Sequence, residues 1–184
     1  LLDIGANIGL FSLFAAKKNH DVVSIEPESL NFTMLNLNIV DNNLHNKIIA
    51  YPLSIHSSNK LSKLNIHKMN WGGSQHSFDS DIMINGEFVN PKYAQGSIGM
   101  RLDDLLNQIN FFPNYIKIDV DGNELEIIKS CPELLKLKST NSILIEIDPS
   151  NEKNKNHIIQ ILNKNSFQID YDNSSGANYI FNKK

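Results

Sequence analysis

The sequence predicts an α/β fold in which helices wind both faces of a mostly parallel sheet. Three observations carry that expectation. Short apolar runs alternate with helical patterns along most of the chain, a turn with glycines four apart joins the first run to the first helix, and two strand-like runs close the chain around one turn.

The elements follow in order. "LLDIG" reads as the end of a buried strand, and "GLFSLFAAKK" as a helix with Leu10, Leu13, Phe14 and Lys17 on one side. "DVVSIE" is a second strand. "ESLNFTMLNLNIVDNN" is a second helix, with Leu30, Met34, Leu37 and Asp41 at three-to-four spacing, running out at Asn42-Asn43. "NKIIAYPL" is a third strand. The rhythm breaks between about Ser54 and Asn114, where strand pieces ("LSKLNIHK", "GSIGMRL"), a glycine-rich "NWGGSQ" and an amphipathic "RLDDLLNQI" read as an insertion between strands three and four. Long insertions in compact domains are often functional. "NYIKIDVDG" restores the strand pattern, "NELEIIKSCPELL" is a helix, "NSILIEIDP" a buried strand and "NEKNKNHIIQILNKN" a surface helix. "SFQIDYDNSSGANYIFNKK" is a hairpin turning at Asn173–Gly176, which would add antiparallel pairing to the sheet. With neither repeat nor linker, residues 1–184 are expected to form one domain.

Bulk composition narrows the function classes. The net charge of −3 over 184 residues argues against a nucleic-acid or membrane-surface partner. No apolar run approaches the roughly 20 residues of a spanning helix, and the opening run, interrupted by Asp3, does not read as a signal peptide. The single Cys131 cannot form an internal disulfide and fits a reducing, cytoplasmic compartment. Followed by Pro132 and flanked by Ile127, Ile128 and Leu134, it reads as a helix end rather than a nucleophile. The six histidines show no pair at helical ligand spacing, so zinc is not expected.

The first turn points to chemistry. Ligands of open parallel sheets bind at the carboxyl ends of strands, where Asp3, Gly5, Ala6, Asn7 and Gly9 fall. Gly5 permits a tight turn and close approach to backbone, and Gly9 lets the next helix pack closely. That helix's N-terminus offers amides to an anion. A nicotinamide dinucleotide would require Gly-x-Gly-x-x-Gly, but Asn7 and Leu10 stand where the second and third glycines belong. An acid two residues before the first glycine suits a sulfonium cofactor derived from methionine instead: Asp3 facing its ammonium and the turn amides its carboxylate. Glu26 ends the second strand, where its carboxylate can accept from both ribose hydroxyls, and Pro27 stops that strand.

The blocks "DIGANIGLFS", "SIEPES", "NWGGS", "RLDDLL", "YIKIDVDGNELEII" and "ILIEI", in this order, resemble the FkbM family of S-adenosylmethionine-dependent methyltransferases. The resemblance covers nearly the whole chain. It implies a Rossmann-like methyltransferase fold of seven strands with a reversed last strand, and adenine-side contacts from Leu53 and Ser54. It also implies transfer of a methyl group to a hydroxyl of a sugar, glycan or other small molecule. Two stretches depart from the family pattern: Pro52-Leu53-Ser54-Ile55-His56 after the third strand, and Lys129-Ser130-Cys131 after the fourth. Family members normally carry further N-terminal residues, so the chain is expected to be N-terminally truncated; the alternative function is a module that binds the cofactor without turnover.

Methyl transfer needs donor and acceptor aligned and a base for the hydroxyl. Asp119, at the end of "YIKID", is expected to touch the cofactor and act as the base, with Glu124 as second candidate. Glu124 reads equally as an acid at a helix N-terminus, and Asp121 as a turn former with Gly122. Paired carboxylates also admit a divalent cation, the less favoured possibility, with Glu146 as its only further suggested oxygen ligand. Asn70, Trp71, Gly72 and Ser74 are expected to form a lip over the acceptor, with Trp71 offering a flat face or capping the core, and the paired glycines giving mobility. His56 and His76 are lesser candidates for a base.

Overall fold

β-Branched and apolar runs build the first half of a sheet: β1 (Leu2–Ile4), α1 (Leu10–Lys17), β2 (Val22–Ile25), α2 (Ser29–Asp41) and β3 (Ile48–Tyr51). Next come four strands of a separate small sheet, β4 (Ser54–Ile55), β5 (Lys60–Ile66), β6 (Ser77–Phe78) and β7 (Tyr93–Met100). The chain returns through α3 (Leu102–Ile109) to β8 (Tyr115–Ile118), α4 (Glu124–Lys129), α5 (Pro132–Lys136), β9 (Ser142–Glu146), α6 (Glu152–Lys164), β10 (Phe167–Ile169) and β11 (Asn178–Lys183). This computed structural model describes residues 1–67, 70–74, 76–80 and 91–184. Lys68 of the "LSKLNIHK" run and Gln75 of "NWGGSQ" lie outside the described residues.

The main sheet has the order β10-β11-β9-β8-β1-β2-β3. β11 is antiparallel to β9 and β10, and the remaining pairs are parallel, so the expected seven-stranded, mostly parallel sheet with a reversed last strand is what forms. β1 lies between β2 and β8, at the point where the winding reverses direction, which is where such sheets open a crevice. The insertion is tighter than expected. Its small sheet, ordered β4-β7-β5-β6, ends with Met100, and α3 belongs to the crossover into β8. Among the described residues no helix is long and apolar enough to cross a membrane.

Strand alternation divides the core. Leu2 and Ile4, Val23 and Ile25, Ile116 and Ile118, and Ile143 and Ile145 point to one face and form the main core with α3–α6. Cys131 is packed there, and burial pushes its thiol far above the usual range, consistent with a packing role. The opposite face, under α1 and α2, carries a smaller cluster around Ala16, Val22, Leu35 and Ile39. Both helices bury faces other than those expected. α1 buries Ser12 and Ala16 and leaves Leu10 and Phe14 exposed; α2 buries Asn31, Leu35 and Ile39 and exposes Leu37.

For α1 the reason is a polar row beneath it. Ser24, Asp3 and Lys117 lie at one register level across β2, β1 and β8. Asp3 is fully buried; its Oδ2 accepts from Ser12 Oγ at 2.6 Å, and its Oδ1 is 3.3 Å from Lys117 Nζ. Ser12 Oγ also bonds Ser24 Oγ at 2.7 Å. The Lys117 ammonium donates to Gly5 O at 2.7 Å and lies 3.3 Å from Asp119 Oδ2. α1 therefore turns Ser12 inward to satisfy a buried acid, and its larger apolar residues face out.

Two predictions follow from this packing. Lys117→Met leaves Asp3 charged and sealed, and should cost about 3–5 kcal/mol in urea unfolding, with part regained when Asp3→Asn is added. Gly5 has φ +75°, and a Cβ there would lie 1.8 Å from Asp119 O. Gly5→Ala should lose about 2–4 kcal/mol, whereas Gly96→Ala, whose Cβ meets nothing within 4 Å, should stay within about 0.5 kcal/mol of the parent.

Candidate functional site

One level above the buried row, the strand tips carry a second one. Two residues on from Ser24, Asp3, Lys117 and Leu144 come Glu26, Gly5, Asp119 and Glu146, on β2, β1, β8 and β9. No side chain stands between Glu26 and Asp119, because Gly5 has none. A cavity of about 350 Å³ opens over this row, with all four residues in its wall. Its size is that of a small-molecule site.

Glu26 is placed by backbone amides: Asn7 N–H donates to Oε2 at 2.8 Å and Glu28 N–H to Oε1 at 2.9 Å. Each oxygen keeps a further lone pair for a ligand. Burial pushes the carboxyl up to about 7, with the charge of Glu28 adding to the rise; the two amide bonds and Lys117 oppose it. Glu28 itself caps α2, accepting from Leu30 N and Asn31 N at 3.0 and 2.7 Å. Pro27 lines the cavity beside Glu26, and beyond it Leu53, Ser54, Ile55, Leu64 and Phe78 form a largely apolar wall. His76 joins that wall; its ring nitrogens make no hydrogen bond of normal geometry, and burial holds its pKa below the usual imidazole range.

The first turn departs from expectation. Asp3 does not reach the cavity: Ser12 and Lys117 enclose its carboxylate below the turn, so it supports the site instead of facing an ammonium. Ala6 is buried, and Gly9 lies outside the cavity wall; a Cβ on Gly9 would come within 2.5 Å of Leu35, so its role is the close packing of α2 against the turn. The turn amides serve the turn: Gly5 N and Ala6 N both donate to Ile25 O at 3.0 Å, Ile8 N to Asn7 Oδ1, and Gly9 N to Ala6 O. They are engaged within the protein where a carboxylate ligand was expected to take them.

The "NWGGS" turn forms the roof. Asn7 Nδ2 donates to Gly72 O and Gly73 O at 3.4 and 3.2 Å, Asn31 Nδ2 to Gly73 O at 2.9 Å, and Gly72 N returns a bond to Asn31 Oδ1 at 2.9 Å. The glycines expected to be mobile are thus tied to two asparagines. Gly73 and Ser74 face the cavity; Asn70, Trp71 and Gly72 do not, and Trp71, 58% exposed, neither caps the core nor lines the site.

The far end is acidic. Asp119, 42% exposed at its side chain, and Glu146 line the cavity with Asp121. A hydrogen bond to Asp119 pushes Glu146 up to about 7, aided by burial and by the charges of Asp119, Asp121 and Glu124. Glu124 is turned away: it is buried, accepts from Gly122 N at 2.9 Å and braces the β8–α4 turn, where Asp121 and Gly122 both have positive φ. Burial raises its pKa, but its position removes it from the candidate bases. His56, stacked edge-on against Phe78 at 5.5 Å, is not in the cavity wall. Among the described residues no group of three or more His, Cys, Asp or Glu is gathered to hold a metal ion.

Sequence reasoning missed Lys117, Asn31 and the part Glu146 plays. A lysine inside an otherwise apolar strand, "YIKID", was the available signal for the first; a single asparagine and a strand-end acid carry none.

The arrangement suits a nucleoside with a cationic tail: an apolar wall for a base, Glu26 for a diol, and carboxyls at the opposite end. The Methyltransferase FkbM domain family matches residues 3–169. The methyltransferase FkbM of Methylobacillus flagellatus KT superposes with a TM-score of 0.63 at 18% identity, over 98% of this chain and 42% of that one. The chain therefore spans less than half the length of that protein. A precorrin-6y C5,15-methyltransferase of Geobacter metallireducens GS-15 gives 0.56 at 11% identity, covering all of this chain and 79% of that one. A ribosomal protein L11 methylase of Lactobacillus delbrueckii subsp. bulgaricus gives 0.54 at 14%, covering all of this chain and 69% of that one. By sequence, no curated protein matches. At these identities the superpositions speak for the fold alone, and the family match, running over nearly the entire length, decides the rest: the chain belongs to the FkbM methyltransferase domain family.

Proposed function

We propose that the chain binds S-adenosylmethionine and transfers its methyl group to a hydroxyl of a sugar or related small molecule. Methyltransferases of this family generally use that cofactor. The observation that supports the reading is the row of strand tips, with Glu26 at one end, carboxyls at the other and an uninterrupted cavity between them.

When bound, the cofactor supplies a methyl group activated by positive sulfur. Glu26 accepts from the ribose hydroxyls through the lone pairs that Asn7 and Glu28 leave open. Leu53, Ile55, Leu64 and Phe78 exclude water from the adenine, and Ser54, Pro27 and His76 complete that end. Lys117 fixes both Gly5 and Asp119, on adjacent strands, so the turn and Asp119 hold a constant separation of one strand spacing, about 5 Å. Asp119, exposed toward the cavity, is the residue within the site best placed to take the acceptor's proton. Ser74 on the roof turn faces the same space and would meet the acceptor.

Calorimetry with S-adenosylmethionine and S-adenosylhomocysteine tests cofactor binding directly. Both should bind, and Glu26→Ala should weaken both by about 10–100-fold through loss of the charged acceptor; absence of heat with either ligand on the parent protein would remove the reading. Hydroxyl specificity is tested by transfer of labelled methyl to a panel of sugars, with amine analogues as the contrasting set.

Glu26 also sets a pH dependence. Its native pKa of about 7 exceeds the ordinary 4.5, so the native state holds the proton more tightly than the unfolded one. Its contribution to stability is present below about pH 4.5 and lost as pH rises through 7. Ligand binding runs the other way, because a diol donates better to a carboxylate than to a carboxylic acid. Adenosine affinity should rise between about pH 6 and 8, and Glu26→Gln should remove that rise; an unchanged slope in the variant would assign it to another group.

A further inference from the structure

The pairing register brings together two carboxyl groups of which the transfer reaction, as described, uses one. Ile118 pairs with Ile145, so Asp119 and Glu146, each one residue further on, stand side by side on the same face of adjacent parallel strands. Strands about 4.8 Å apart bring such side chains into contact, and both line the cavity. The groups around the pair come from every neighbouring element. Asp121 and Glu124 add negative charge from the turn after β8 and the start of α4. The Lys117 ammonium lies 3.3 Å behind Asp119, and Asn178, uncharged, is the β11 residue in register with Glu146.

We propose that Asp119 and Glu146 form a sulfonium-recognising subsite that distinguishes the methylated cofactor from its demethylated product by charge. The inference rests on the cofactor reading above and deepens it. The two ligands share the adenine, the diol and the amino-acid tail, so Glu26 and the apolar wall cannot tell them apart. They differ by one methyl group and by the positive charge on sulfur, which disappears when the methyl leaves. Two neighbouring carboxyls share a proton near neutrality, here held on Glu146 by its hydrogen bond to Asp119 and by burial. A sulfonium set against the pair favours loss of that proton, and by reciprocity loss of the proton tightens the hold on the sulfonium. The neutral thioether has no such coupling. The site should therefore prefer donor over product more strongly as pH rises through about 7, so that less donor is needed to displace product in mildly alkaline conditions.

The test needs no acceptor. Dissociation constants for S-adenosylmethionine and S-adenosylhomocysteine are measured by calorimetry on the whole chain from about pH 6 to 8.5, and product constant is divided by donor constant at each pH. The ratio cancels what the ligands share, including the Glu26–diol contact. It should rise about tenfold across the range, the effect of a sulfonium that shifts the shared proton by about one pKa unit. Glu146→Gln should flatten it, and so should Asp119→Asn if the first variant folds poorly. In the free protein, the fall in melting temperature between about pH 5 and 8 should be smaller in Glu146→Gln, because the raised native pKa of Glu146 costs stability as it ionises. A flat ratio in the parent protein, or a parental slope in both variants, overturns the inference while leaving the cofactor reading intact. Failure of both ligands to bind at any pH overturns the cofactor reading and this inference with it.

Discussion

A lysine ammonium with almost no contact with water holds the site together. Lys117 is 5% exposed, and its ammonium reaches three separate parts of the chain: it donates to the Gly5 carbonyl in the turn and makes ion pairs with the Asp3 carboxylate in β1 and the Asp119 carboxylate beyond β8. Burying a cation costs several kcal/mol, and the cost is offset only where geometry and counter-charge are both supplied. Here the counter-charges come from two acids, one sealed and one facing the cavity. A single ion therefore fixes the spacing between the turn and the acidic strand tips.

Much of the architecture was legible because its signals are local. Strand and helix rhythm, the glycine turn and the closing hairpin are each written in a few neighbouring residues, and each appears in the fold. The place of Glu26 was legible for the same reason: the strand pattern and Pro27 put it at the tip of β2, where it lines the cavity. The faces of α1 and α2 were not legible. Apolar spacing favoured Leu10, Phe14 and Leu37, yet the sheet beneath α1 presents Asp3 and Ser24, and that polar demand turned Ser12 inward.

Asp3 illustrates the same limit at the site. An acid two residues before a glycine turn can meet a ligand or a buried cation, and the sequence around it is identical in both cases. The deciding partner lies more than a hundred residues away, and strand pairing alone brings it alongside. Glu124 was ambiguous for a related reason: a helix-initial acid next to glycine can face outward or fold back on its own turn, and Gly122 N–H drew it back. Trp71 carried an aromatic signal with no register to orient it, and it stands at the surface while the glycines beside it are held.

Those held glycines share an anchor with the cavity floor. Asn7, in a left-handed conformation at φ 52°, uses its backbone N–H to position Glu26 and its side-chain amide to fasten Gly72 and Gly73. One residue therefore carries both the floor carboxylate and the turn overhead, so a substitution of Asn7 would loosen the two together.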